Sequence, residues 1–274
     1  MIRAKKINDV VVKPPPSLMD KNALPVKGGD IFAEPYANIF ICSRKKSGKS
    51  VTIYNILKKC VGRDTTVIFF CSTLYKDPTY KSMMEMLKKN NINFIPYTSL
   101  KEDDADHLSE LVECLAKQAE DDFNKEDEVP TSKLCKALFA DDEDEDEKPK
   151  RKLKYLAPEY ILVFDDLSDE LKSKSLVKLF KENRHYKLKI ICSSQHYNDL
   201  LPQSRKQLEY ILVFKNITEN KLFEMHRDSN LSISFEQFKK IYQWATEEKY
   251  SFLYVDCINS SFRKNFNIEI EIKQ

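Results

Sequence analysis

Five short runs along the chain are apolar almost from end to end: NIFIC (38–42), TTVIFF (65–70), YILVF (160–164), LKII (188–191) and YILVF again (210–214). A strand with one face in water alternates polar and apolar residues, so a run without alternation needs cover on both faces. Between these runs lie segments with helical spacing, such as Ile53, Ile56, Leu57 and Cys60 within GKSVTIYNILKKC, and the helical stretches 79–90, 103–120, 218–227 and 234–247. INFIPY (92–97), YSFLYVD (250–256) and FNIEIEI (266–272) read as further strands, the last as an edge with one wet face. Strands alternating with helices imply an α/β fold with a mostly parallel central sheet and helices on both faces. Ligands of such sheets bind at the carboxyl ends of the strands. The residues just past each apolar run are therefore where chemistry is expected.

Composition narrows the classes. No run of about 18 apolar residues exists, which argues against a membrane span, and MIRAKKINDV lacks the apolar stretch of a secretion signal. The seven cysteines show no C-x-x-C spacing, and Cys42, Cys71, Cys192 and Cys257 sit in apolar runs; this reads as reduced, buried thiols rather than disulfides or zinc ligands. The net charge of +2 conceals a division. Residues 120–147 hold thirteen Asp/Glu and three Lys, a net of −10, which leaves +12 on the remainder. A basic body suits a polyanionic partner. The expected organisation is a basic arm over 1–30 and one domain over 31–274, interrupted by a flexible acidic insertion at about 121–152.

The first apolar run ends in Ser43-Arg44-Lys45-Lys46-Ser47-Gly48-Lys49-Ser50, the phosphate-loop pattern G-x-x-x-x-G-K-[ST] with serine at its first glycine. Backbone N–H groups do most of the cradling, and a serine has one as glycine does. Gly48 lets the chain approach the phosphates closely. Lys49 would meet the β- and γ-phosphates, Ser50 would ligate Mg²⁺, and the following helix would point its N-terminus at the anion. The nucleotide-binding set is thus Ser43, Lys46, Ser47, Gly48, Lys49, Ser50 and Val51, with ATP and Mg²⁺ as ligands.

The third run ends in Asp165-Asp166. A carboxylate at the tip of a buried strand is placed to hold Mg²⁺, the role read for Asp165, and Asp166 is placed to activate water. The fourth run continues IICSSQ, and Gln195 is placed to orient the attacking water and sense the γ-phosphate. Two other readings stay open. One is a P-loop nucleoside or nucleotide kinase, against which Asp166 and Gln195 speak. The other is a non-hydrolysing nucleotide- or DNA-binding module.

ILVFDDLSDE, LFKENRHYKLKIICSSQHYNDL and SRKQLEYILVFK, taken with the phosphate loop, resemble the packaging ATPases of large DNA viruses and virophages, within the FtsK–HerA superfamily of DNA-pumping motors. The resemblance runs over roughly residues 36–230. Family members commonly carry glycine where this chain has Ser43 and Lys46. The resemblance implies an additional-strand P-loop fold, in which the strand of Gln195 separates the acidic strand from the phosphate-loop strand. It implies an ATPase that drives double-stranded DNA into a capsid, working as a homo-oligomeric ring in the host cytoplasm (the viral factory) or the virion. It also implies an arginine finger supplied to a neighbour's site, with Arg184 and Arg205 as candidates. DNA would be held by its phosphate backbone without regard to sequence, and the acidic insertion offers a surface for a capsid or portal protein.

Overall fold

A computed structural model describes residues 24–102, 105–124 and 154–272. Most of the expected basic arm and most of the acidic insertion lie outside the described residues. Residues 24–32, the end of that arm and the first residues of the domain, pack on the body. Val26 bridges Leu156, the Lys27 N–H donates to the Leu156 carbonyl at 2.8 Å, and Phe32 is fully buried.

In chain order the strands are β1 (Asn38–Cys42), β2 (Thr66–Cys71), β3 (Phe94–Tyr97), the short pair β4 (Lys101–Glu102) and β5 (Ala105–Asp106), β6 (Tyr160–Asp165), β7 (Leu188–Ser194), β8 (Tyr210–Phe214), β9 (Phe252–Asp256), β10 (Ser261–Lys264) and β11 (Ile268–Glu269). The helices are α1 (Lys49–Cys60), α2 (Pro78–Lys89), α3 (His107–Asn124), α4 (Lys174–Glu182), the short α5 (Pro202–Arg205), α6 (Glu219–Asp228) and α7 (Phe235–Ala245). Among the described residues one large sheet has the order β3-β2-β6-β7-β1-β8-β9-β10-β11. From β3 to β8 every neighbouring pair is parallel; β9, β10 and β11 continue it antiparallel. This is the expected α/β P-loop architecture, with β7 lying between β1 and β6.

The double-sided cover predicted from the apolar runs is visible residue by residue. Ile39, Ile41, Val67, Phe69, Ile161 and Val163 face the layer containing Ile53, Ile56 and Leu57 of α1 and Tyr80, Met83 and Leu87 of α2. Their neighbours Phe40, Cys42, Ile68, Phe70, Leu162 and Phe164 face the opposite layer, with Leu111 of α3, Leu176 and Leu179 of α4, Leu222 of α6 and Phe238 of α7. Truncating one such aromatic, Phe40 for example, removes a buried side chain of the kind that costs about 3–5 kcal/mol.

Three expectations needed correction. FNIEIEI pairs only at Ile268 and Glu269, opposite Lys264 and Arg263. The strand SFRK (β10) was not expected, because its inward residues are Phe262 and Lys264 and the pattern looks polar; Lys264 is nevertheless buried, bound to Glu248 at 2.8 Å and lying 5.1 Å from the Trp244 ring centroid. Cys42, Cys60, Cys71, Cys192 and Cys257 are free thiols as expected, but Cys114 is disulfide-bonded. It lies in amphipathic α3, where apolar runs carry no information about pairing.

Candidate active site

The phosphate loop follows β1 at the carboxyl end of the parallel strands, and its backbone explains which glycines it needs. Gly48 has φ 97° and Lys46 has φ 62°, both in the left-handed region that favours glycine. Ser43 does not fall in that region; its N–H donates to the Ser194 carbonyl at 3.1 Å, so serine replaces glycine there without backbone strain. Lys46 does occupy a glycine-like conformation. The Ser47 hydroxyl donates to the Arg44 carbonyl at 2.6 Å and closes the turn. α1 begins at Lys49, so the first N–H groups of the helix open toward the loop.

β6 and β7 bring the acids to the same end. Asp165 stands opposite Ser193 on β7, and Ser194 stands opposite Cys42 on β1. The Lys49 ammonium lies 2.7 Å from Asp165 Oδ1 and 2.5 Å from Asp166 Oδ1. Burial works against this ammonium, but the two carboxylates outweigh it and the Lys49 pKa is raised. Asp165 is almost wholly buried and takes hydrogen bonds from Tyr80 Oη at 2.7 Å and from the Ser193 hydroxyl. Asp166 is in the left-handed region, φ 54°, and its side chain is 32% exposed, so one of the two acids is anchored and the other open to solvent. The Ser72 hydroxyl holds the Asp166 carbonyl at 2.8 Å, and the Thr73 hydroxyl reaches its Oδ2 at 3.4 Å.

The structure also brings in residues that sequence reasoning missed. The Ser50 hydroxyl donates to Asp77 Oδ2 at 3.0 Å, not to Asp165. Asp77 caps α2 through the Thr79 N–H at 2.8 Å. Burial pushes its pKa up, but the Thr79 and Ser50 hydrogen bonds and the Lys49 charge prevail and it is lowered. Asp77-Pro78 is a helix-start signal, and it was the only hint available. Tyr80 and Ser193 gave none, because their role depends on which strand and helix lie beside Asp165. Burial, with Asp165 beside it, raises the Tyr80 pKa well above its usual value, so the phenol is a fixed donor.

The remaining predicted residues do not join this cluster. Gln195 is half-buried just past the end of β7. Arg184 is 62% exposed and lies 3.6 Å from Glu209; it precedes β7, at the end of the sheet away from the loop. Arg205 is only 10% exposed. It lies 3.3 Å from Asp228 and 3.8 Å from Glu224, donates to Asn198 Oδ1 at 2.9 Å and covers the Tyr197 ring.

Residues 137–267 match the family of the poxvirus A32 protein. The resemblance to viral genome-packaging proteins holds at the level of the fold. The genome packaging NTPase B204 of Sulfolobus turreted icosahedral virus 2, solved with AMP, superposes with a TM-score of 0.53 at 20% identity, over 85% of this chain and 98% of B204. The same protein with AMPPCP gives a TM-score of 0.51. These likenesses establish the fold. Uncharacterized protein 075L of Invertebrate iridescent virus 6 is 33% identical over 103 residues, a match that spans 36% of this chain and 40% of that relative. Among the described residues no helix is long and apolar enough to cross a membrane.

Proposed function

We propose that this chain is an ATP-driven translocase of double-stranded DNA that packages a viral genome, a motor of the FtsK–HerA type. The observation that carries this reading is the convergence of Lys49, Asp165 and Asp166 at the mouth of a loop whose Gly48 opens α1. A lysine between two acids at a phosphate loop is a nucleotide site held closed by its own charges. A triphosphate offers Lys49 a stronger anion than either carboxylate and releases both acids. Loop N–H groups and the first turn of α1 then bind the phosphates.

The donors present are hard oxygens, which suit Mg²⁺. Among the described residues no three His, Cys, Asp or Glu side chains form a ready-made metal cage. That also fits Mg²⁺, which is usually held by one or two carboxylates together with substrate phosphates and water. Ser50 and Asp165 would hold it, and bound Mg²⁺ neutralises charge on the β- and γ-phosphates. Asp165, fixed by Tyr80 and Ser193, supplies a carboxylate that need not reorganise. Asp166, solvent-facing and locked through its backbone, polarises the attacking water. Gln195 reports the γ-phosphate.

Arg184 is the better candidate for a finger given to a neighbouring subunit. It is exposed and weakly held, whereas Arg205 would have to abandon Asp228 and Glu224 to reach out. The partners are then duplex DNA, gripped by its phosphates, further copies of the chain in a ring, and a capsid or portal protein. The site of action is the host cytoplasm or the virion.

The test is ATP turnover with and without long duplex DNA, with particle mass followed by light scattering. DNA should raise turnover and promote a multi-subunit particle, and nucleosides should do neither. Phosphate transfer to a nucleoside would make the chain a kinase. Absence of nucleotide binding would make it a passive module.

A further inference from the structure

The predicted site residues account for the phosphate end of a nucleotide and leave its base without a contact. Lys49 and the two acids lie on the β6–β7 side of the loop. A nucleotide whose γ-phosphate faces them directs its base the other way along the sheet, past β8. There β9 runs antiparallel to β8, so its first residue, Phe252, pairs with the last residue of β8, Phe214. The turn leading into β9 therefore stands at the same end of the sheet as the phosphate loop.

That turn carries Tyr250. Its side chain is 58% exposed, among the most exposed large hydrophobic residues described. It lies directly against the loop: a methyl group built on Gly48 would meet Tyr250 Cδ1 at 3.5 Å and Tyr250 Cβ at 3.8 Å. The backbone at Tyr250 is in the left-handed region, φ 69°, unusual for a bulky aromatic. The turn is fixed in that shape by the Ser251 hydroxyl, which donates to the Glu248 carbonyl at 2.7 Å, and by Lys215, which donates to the Glu247 carbonyl at 2.9 Å. The Lys249 ammonium lies 4.7 Å from the ring centroid. Three residues past Gly48, Val51 is 54% exposed on the first turn of α1. An exposed ring beside a phosphate loop, with an exposed aliphatic side chain on the first turn of the helix that follows, offers apolar surface next to the backbone that would cradle the phosphates.

We propose that Tyr250 is the base platform of this site: its ring stacks on the nucleobase of a bound nucleoside triphosphate, with Val51 lining the same surface. The inference rests on the nucleotide reading given above and adds to it the residue that recognises the base. Base–aromatic stacking tolerates different bases, because every base has a π-face. Tyr250 therefore contributes affinity rather than strict choice of adenine.

Two probes distinguish the base from the phosphates: the uncleaved analogue AMPPCP and inorganic tripolyphosphate, each titrated against wild type, Tyr250→Asn and Tyr250→Phe. Asparagine tolerates the left-handed backbone, so Tyr250→Asn deletes the ring without adding strain. It should weaken AMPPCP about tenfold, within the range of one base stack, and leave tripolyphosphate unchanged. Tyr250→Phe should bind AMPPCP within about twofold of wild type. Equal loss for both probes in Tyr250→Asn would make the residue a structural support of the loop and overturn the proposal. Undiminished AMPPCP binding in Tyr250→Asn would overturn it as well. A wild-type chain that binds both probes equally tightly would sink the base platform while leaving the phosphate site standing. A wild-type chain that binds neither would remove the nucleotide reading and the platform with it.

Discussion

Two lysines, Lys189 fully buried and Lys49 half-buried, stand at opposite ends of the β6–β7 pair. Lys189 lies near the amino end, opposite Ile161, and is fully buried; its ammonium donates to the Glu34 carbonyl at 2.8 Å and lies 5.3 Å from the Phe32 ring centroid. Lys49 lies at the carboxyl end, between Asp165 and Asp166. Burial disfavours the charge on both. At Lys189 little opposes burial and the pKa is lowered, whereas at Lys49 two carboxylates reverse the outcome and it is raised. The same two strands thus carry a lysine packed into the scaffold and lead to one paired with two carboxylates, which on the proposed reading would exchange them for a phosphate.

The difference can be broken from the Lys49 side first. Asp166→Asn removes one of the two carboxylates and the group expected to polarise water. Hydrolysis should fall by about 10²–10⁴-fold, the usual worth of a positioned general base, while AMPPCP still binds. Single-turnover kinetics read the first quantity and equilibrium titration the second; unchanged hydrolysis would assign water activation to another residue.

A smaller effect is expected at the other end. Lys189→Met keeps the stem and removes a poorly compensated charge, so at pH 7 stability should change by no more than about 1 kcal/mol, with ATPase activity intact. The pH dependence sharpens the contrast. Lys189 has a folded pKa below its unfolded value, so the native state holds its proton less firmly. Its contribution is therefore poorest below the depressed pKa and improves as pH rises toward 10.5. Lys49 is the reverse: its contribution is complete below 10.5 and is lost only as pH climbs through its raised pKa. Denaturation midpoints from pH 7 to 10 should show wild type gaining on Lys189→Met. A constant difference would contradict the depressed pKa.

Much of this was legible in the sequence. The unbroken apolar runs gave the parallel strands, and Gly48-Lys49-Ser50 with Asp165-Asp166 gave the charged centre of the site. What escaped depends on three-dimensional neighbours. Asp77 carries no more than a helix-start signal, and nothing in its spacing ties it to Ser50. Tyr80 sits on an amphipathic helix among core residues, and its bond to Asp165 exists only because α2 packs beside β6. Tyr250 lies 202 residues from Gly48 along the chain and reaches the loop only because β9 doubles back beside β8. β10 was hidden because one of its inward residues is a buried lysine.

The central claim, that Lys49 and the two acids form a nucleotide site, is tested most directly by titrating AMPPCP into wild type and Lys49→Ala, each with and without Mg²⁺. The account predicts that Mg²⁺ strengthens binding to wild type and that Lys49→Ala weakens it at least about 100-fold, the scale of losing a close charge–phosphate contact. Equal affinity of the two proteins would contradict it.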